Sequence, residues 1–270
     1  MTGPDGRPVE AEWGVLPDGT AVVEMARASG LALVARSNDA VAATTRGTGE
    51  LIAAALAAGA REVIVGVGGS ATTDGGLGAV EALDWSLGGV RVVVACDVAT
   101  SFVDAAPVFG PQKGASPEQV ALLAERLERL AVRYRERTGV DVLALPGAGA
   151  AGGLAGGLAA IGAELRPGFD VVAEAVGFEA VLASAELVVT GEGRLDRTSL
   201  AGKVVGRVLE AASAAGVRAA VVAGRVDGPL ELPGAPVVVS LTELAGSPEQ
   251  AERRAAELVE LAAKRLDERQ

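Results

Sequence analysis

The stretch Glu62-Val-Ile-Val-Gly-Val-Gly-Gly-Ser-Ala-Thr-Thr-Asp-Gly-Gly76 contains the turn around which the chain can be read. Its first five residues are a short apolar run of the kind that forms a buried strand. Glycines and hydroxyl residues follow, and an apolar pattern from about Gly76 to Leu83 then has helical spacing. A strand entering a glycine turn and then a helix is the repeating unit of a parallel α/β fold. Glycines let backbone N–H groups approach an anion, and a helix N-terminus adds a favourable dipole. Gly68, Gly69, Ser70, Thr72 and Thr73 are therefore candidate anion ligands, and Asp74 is a candidate for magnesium or a substrate hydroxyl. The same residues also suit a tight strand-to-helix turn with Asp74 as a cap.

Upstream, Pro8–Leu16 and Thr20–Met25 alternate around Pro17-Asp18-Gly19 and predict a β-hairpin, followed by a helix from about Gly49 to Ala58. Downstream, Val90–Ala95 predicts a second strand ending at Cys96-Asp97. Ser116-Pro-Glu-Gln119 has the form of a capping box and opens a long helix to about Arg137, and Ser247-Pro-Glu-Gln250 repeats the device before the last helix. Between them, Gly147–Gly162 is rich in glycine and alanine but keeps Leu154, Leu158 and Ile161 at helical spacing, which favours a closely packed helix over a linker. From Leu187 the order is strand to Thr190, loop, helix Gly202–Ala214, strand Arg218–Ala223, strand Pro236–Ser240 and helix. Two α/β units are expected, residues 1–166 and 167–270, with the join near Arg166-Pro-Gly168.

Composition narrows the chemistry. The chain has 270 residues, half of them hydrophobic, and a net charge of −11 without a basic run, so no nucleic-acid or anionic membrane surface is expected. A single cysteine, Cys96, excludes an internal disulfide, and with no apolar leader or span a cytoplasmic location is expected. Histidine is absent, which removes Ser-His-Asp hydrolysis and histidine-built zinc sites. Only Lys113, Lys203 and Lys264 occur among 24 basic residues, and the first two sit beside glycine. A lysine is a compact charge on a flexible stem, suited to a phosphate that moves during reaction. Lys113 lies in Phe109-Gly-Pro-Gln-Lys-Gly114, and Lys203 follows Val189-Thr-Gly-Glu-Gly-Arg-Leu-Asp196, whose polar groups would fall at the carboxyl end of a strand. No Walker-type loop precedes Lys203, because Arg197 stands five residues before Gly202. A rival pattern is Gly66-x-Gly68-x-x-Ala71 with Asp97 as a ribose-binding acid, which would make a nicotinamide-dependent oxidoreductase.

Seven stretches together resemble the glycerate kinase family of the bacterial glycerate 2-kinase type. They are Thr2–Glu12, Gly47-Thr-Gly-Glu-Leu51, Gly68–Gly76, Ala95-Cys-Asp-Val98, Val108–Ala115, Pro146–Gly153 and Thr190–Asp196, in family order. The resemblance implies a flavodoxin-like parallel-sheet domain built from both chain ends, an inserted mixed α/β domain, and a site in the cleft between them. It also implies transfer of the ATP γ-phosphoryl group to a hydroxyl of glycerate with Mg2+, and favours 2-phosphoglycerate over 3-phosphoglycerate. On this reading Lys113 and Lys203 meet phosphates or the glycerate carboxylate, and Asp74 or Asp196 takes the hydroxyl proton or magnesium. Gly68 to Ser70 hold an anion, Thr72 and Thr73 supply hydroxyls, and Glu192 and Arg194 assist. A non-catalytic ligand-binding remnant is the remaining alternative.

The chain departs from the family pattern in three ways. Asp84–Gly89 bridges a usual insertion, Thr73 stands where Asn is common, and the strand, Phe-Lys-Gly or Phe-Arg-Gly turn and Asp-Gly-Gly-Glu-Gly segment that usually come first are not seen. The expectation is a truncated chain, weakly active and marginally stable in its C-terminal half. Its flavodoxin-like sheet would have an open edge that invites a homodimer.

Overall fold

The computed structural model describes residues 1–35, 37–200 and 202–267. Two units separate in the chain, Met1–Gly168 and Phe169–Gln270. Both are α/β.

The first unit holds a five-stranded sheet in the order β1 (Gly14–Val15), β2 (Thr20–Glu24), β3 (Glu62–Gly66), β4 (Arg91–Ala95), β5 (Glu164–Arg166). β1 is antiparallel to β2, and every other neighbouring pair is parallel. Strand alternation sends Ala21, Val23, Val63, Val65, Val92 and Val94 into one core with Leu51, Ile52 and Ala55 of the helix Arg46–Ala57. The hairpin expected from Pro8 is shorter than its pattern. Pro8 pairs only with Thr2 through an isolated bridge, because the segment first closes on itself through Gly3 N–H to the Arg7 carbonyl, 2.7 Å.

A second cluster forms around Phe102 and Tyr134, with Leu123 and Leu127 from the helix Pro117–Thr138. Both halves of its capping box are made: Ser116 Oγ accepts from Gln119 N–H at 3.3 Å, and Ser116 N–H donates to Gln119 Oε1 at 2.9 Å. Such a cap contributes about 1 kcal/mol. The glycine- and alanine-rich stretch forms a helix, Leu154–Ala160, buried along its whole length, with Leu154, Ala155 and Leu158 in the first core and Ala160 in this cluster. Glycine is needed there, since a Cβ on Gly157 would lie 2.7 Å from the Gly75 carbonyl oxygen.

The second unit holds a parallel sheet in the order β6 (Leu187–Leu195), β7 (Arg218–Val226), β8 (Val237–Ser240). Leu195, Val221 and Ala223 pack against Val205, Leu209 and Ala212 of the helix Val204–Ala215. Ala220 and Val239 pack toward Leu258, Ala262 and Leu266 of the helix Ala255–Asp267. Two sequence expectations change here. The residues expected as a loop after Thr190 continue the strand, with Glu192 opposite Ala223 and Arg194 opposite Arg225. Glycine composition suggested a loop, but Gly191 and Gly224 instead permit close strand approach: a Cβ on either would sit 2.4 Å from a neighbouring carbonyl oxygen. The expected last helix is also two, Pro248–Arg253 capped by Ser247 and Ala255–Asp267, interrupted where Arg254 leaves helical geometry at φ −111°. Among the described residues no helix is long and apolar enough to cross a membrane.

Candidate active site

In the first unit Gly68, Gly69, Ser70 and Lys113 of the sequence-selected residues line a cavity of about 510 Å³ at the carboxyl ends of β3 and β4, whereas Thr72, Thr73 and Asp74 do not. β3 ends at Gly66 and leads into the turn Val67–Ser70, where Gly69 adopts φ +74°, a conformation that suits a residue without a Cβ. The turn is clamped from the side. Gly30 and Ser70 form an isolated bridge, Leu31 N–H donates to the Gly69 carbonyl at 2.8 Å, and Ala71 N–H donates to the Ser29 carbonyl at 3.0 Å. Gly68, Gly69 and Ser70 line the cavity, as do Cys96 and Asp97 beyond β4.

The turn does not open a helix. The next helix is Leu77–Ala82, with Gly76 at its N-cap in the left-handed region, so Thr72, Thr73, Asp74 and Gly75 intervene. The helix-dipole argument for an anion at Gly68–Ser70 therefore falls, and so does the dinucleotide reading, which needs the glycine turn at a helix N-terminus.

The positive charge in this cavity comes from Lys113. It ends a short 3₁₀ turn, Pro111–Lys113, held by Gly114 at φ +88°. The sequence suggested an ammonium at a cleft edge, whereas the side chain is buried, 3% exposed, and still lines the cavity. Its Nζ donates to the Thr72 carbonyl oxygen at 2.6 Å and to Ser70 Oγ at 3.3 Å, and lies 5.9 Å from the centre of the Phe109 ring. Among the described residues no carboxylate pairs with it at ion-pair distance. Burial lowers its pKa to about 8, opposed only by the field of Asp74.

Asp74 is bound into the loop. Its Oδ2 accepts from Thr45 N–H and Thr45 Oγ1, both at 2.8 Å, and from Gly78 N–H at 3.3 Å, while Oδ1 accepts from Gly76 N–H at 3.1 Å. Burial pushes its pKa up and these hydrogen bonds hold it down, with burial prevailing. Thr72 and Thr73 are fully buried, and Thr73 Oγ1 has no hydrogen-bond partner among the described residues.

Two positioning residues escaped the sequence reading. Asn38 donates through Nδ2 to the carbonyls of Ala71 (2.8 Å) and Lys113 (2.9 Å), tying the glycine turn to the lysine turn. Thr45 connects Asp74 to the helix Leu77–Ala82 by accepting from Ala79 N–H at 3.0 Å. Each occurs in a polar loop sequence without periodicity, so neither left a local signal.

The remaining candidates lie in the second unit. Lys203 is the exposed N-cap of the helix Val204–Ala215, and its Nζ donates to Thr198 Oγ1 at 2.9 Å. Thr198 donates to Asp196 Oδ1 through Oγ1 at 2.7 Å and through N–H at 2.8 Å, bonds that lower the Asp196 pKa. Arg194 Nε lies 3.3 Å from Asp196 and 2.7 Å from Asp227. Glu192 borders a mainly apolar cavity of about 710 Å³, and its buried Oε1 has no hydrogen-bond partner among the described residues. Among the described residues no three Asp, Glu, His or Cys side chains gather as a metal cage.

The architecture and the cavity define a mainly parallel α/β protein whose largely apolar pocket carries one buried lysine, Lys113, at the carboxyl ends of β3 and β4. Comparison with known proteins supplies the family. Residues 1–89 and 80–269 match the Glycerate kinase family. The chain is 42% identical over 240 residues to Glycerate 2-kinase of Escherichia coli (strain K12), covering 76% of this chain and 63% of that protein. It is 41% identical over 262 residues to Glycerate kinase of Bacillus subtilis (strain 168), covering 84% of this chain and 69% of that one. A crystal structure described as glycerate kinase 2 from Salmonella typhimurium LT2 aligns with a TM-score of 0.76 at 35% identity, over 98% of this chain and 82% of that one. The chain belongs to the glycerate kinase family, and it spans roughly two thirds of the length of the two sequence relatives named.

Proposed function

We propose that this protein transfers the γ-phosphoryl group of ATP to a hydroxyl of D-glycerate in the cytoplasm. The observation that carries the reading is Lys113, a buried ammonium with no carboxylate at ion-pair distance among the described residues, facing a cavity that borders Gly68–Ser70 in a chain of this family. Phosphoryl transfer needs mainly positioning and charge neutralisation, so a site without histidine suffices. Lys113 and the turn would bind the glycerate carboxylate or a phosphate, and Asp97, whose residue lines the same cavity, is a candidate to take the hydroxyl proton. Lys203, Thr198 and Arg194 would bind phosphate oxygens in the second unit. Glu192 and the cavity beside it would receive another part of the nucleotide.

Magnesium that travels with ATP neutralises the β- and γ-phosphates and keeps most of its waters, so one or two carboxylates suffice. Asp196, partly exposed and held by its near neighbours Thr198 and Arg194, fits that contact; Asp74, fixed inside the loop by four donors from Thr45, Gly76 and Gly78, does not. Residues 1–166 would correspond to the family's inserted domain and residues 167–270 to part of its flavodoxin-like domain. A homodimer would use the outer edge of β6, which no strand covers among the described residues.

The test is an ATP- and glycerate-dependent assay with phosphorus NMR of the product. A 2-phosphate ester is expected; a 3-phosphate ester would overturn the regiochemistry, and no ester the activity. In a thermal-shift comparison Mg-ATP should raise the midpoint and NADH should not.

A further inference from the structure

We propose that Lys113 is a covalent, reversible binding site for short oxo acids, the aldehyde or ketone counterparts of a hydroxy acid, through an imine at its Nζ. The observations are geometric. Lys113 is buried, yet its residue lines a cavity of about 510 Å³, large enough for an organic acid of a few carbons. Its Nζ is held by a carbonyl at 2.6 Å and a hydroxyl at 3.3 Å rather than by a carboxylate that would stabilise the ammonium. The charged or titratable residues about the cavity are Asp97, Cys96 and, behind the turn, Asp74. Asp97 accepts from Gly168 N–H at 2.7 Å, Asp74 is engaged by four donors, and burial pushes the Cys96 thiol up, so the neutral amine is the strongest nucleophile there. The lowered pKa of Lys113, about 8, supplies that neutral amine near physiological pH.

The step is balanced without a further reactant. The lysine ammonium gives one proton to solvent, and its nitrogen lone pair forms a bond to the carbonyl carbon as the carbonyl oxygen becomes a hydroxyl. The resulting carbinolamine loses water to give the C=N imine, and water reverses the sequence. While the imine stands, the lysine is not available to bind a carboxylate or phosphate, so an oxo acid would act as a slowly reversible inhibitor. That consequence rests on the proposed kinase activity; imine formation itself does not.

The test uses the full chain with glyoxylate as the probe and sodium cyanoborohydride to reduce any imine to a stable secondary amine, followed by peptide mapping by mass spectrometry. The three lysines make the outcome unambiguous. Near pH 8, where about half of its amine is neutral, Lys113 is expected to be modified about tenfold faster than the exposed Lys264. The rate at Lys113 should level off above about pH 8. Lys113→Arg should abolish the modification, and should that variant fail to fold, mapping of the unaltered chain decides. Modification of Lys264 with none at Lys113, or equal rates at all three lysines, would overturn the inference. Excess glycerate should slow modification; failure to do so with Lys113 still modified would count against glycerate in this cavity and leave the covalent site standing.

Discussion

The Lys113 ammonium lies 2.6 Å from the Thr72 carbonyl oxygen, so the charge in the cavity is held by the backbone of the loop that shapes it. Withdrawing an ammonium from water without an opposite charge destabilises the charged form. The folded-state pKa of about 8 lies below the ordinary 10.5, so between these values the unfolded chain holds a proton that the folded chain has released. Stability should therefore rise with pH across that window. In Lys113→Met the cost is absent, and the variant should be more stable than the unaltered protein at pH 7 by about 1–2 kcal/mol, after allowing for the unpaired Thr72 carbonyl. Urea melts at pH 7, 9 and 10 should show this gap closing as pH rises; a constant gap would refute the buried-charge account.

The same lysine should be costly to lose in catalysis. Lys113→Ala and Lys203→Ala should each lower kcat/KM for ATP-dependent glycerate phosphorylation by about a hundredfold or more, comparable to removing one donor that meets developing charge. Unchanged steady-state kinetics in both would remove them from the site.

Asp74 should behave as an anchor. Asp74→Asn turns an acceptor that serves Thr45, Gly76 and Gly78 into a group that also carries donors, and should cost about 2–4 kcal/mol in a denaturant melt. Its folded fraction should retain kcat within about tenfold. A loss on the order of a thousandfold at near-normal stability would instead identify a proton-transfer role.

Gly152→Ala tests how tightly the cavity loop is packed. A Cβ there would fall 2.0 Å from the Thr72 carbonyl oxygen, the acceptor of Lys113, at φ +68°. A loss of about 3 kcal/mol or more is expected, with the Lys113 pKa displaced. Gly139→Ala, at φ +79° with nothing within 4 Å, should cost only about 1 kcal/mol. Comparable melting points for the two variants would contradict the packing argument.

Local signals in the sequence were sufficient for much of the fold. Glu62–Gly66 declared a strand because an apolar run met a glycine turn, and Ser116-Pro-Glu-Gln119 declared a helix start because its side chains satisfy that helix's own first N–H groups. Both effects act over a few residues and are legible without a partner. The rarity of lysine likewise selected Lys113, and the ordered motifs selected the family.

What the sequence could not determine depended on residues far apart in the chain. Thr190–Asp196 has loop composition, yet pairing with β7 makes most of it strand. Asp74 had the composition of a magnesium ligand or a cap, and Thr45, 29 residues away, engages its carboxylate. Asn38 belongs to the site only because it bridges carbonyls 33 and 75 residues distant. The sequence by itself determined most of the elements and which residue types could do the chemistry, because propensity, capping and turn geometry are short-range. Only the tertiary structure decided which polar groups face the cavity and which are consumed as structural hydrogen bonds, because burial and hydrogen-bond partners are assigned by the packing of segments remote in sequence.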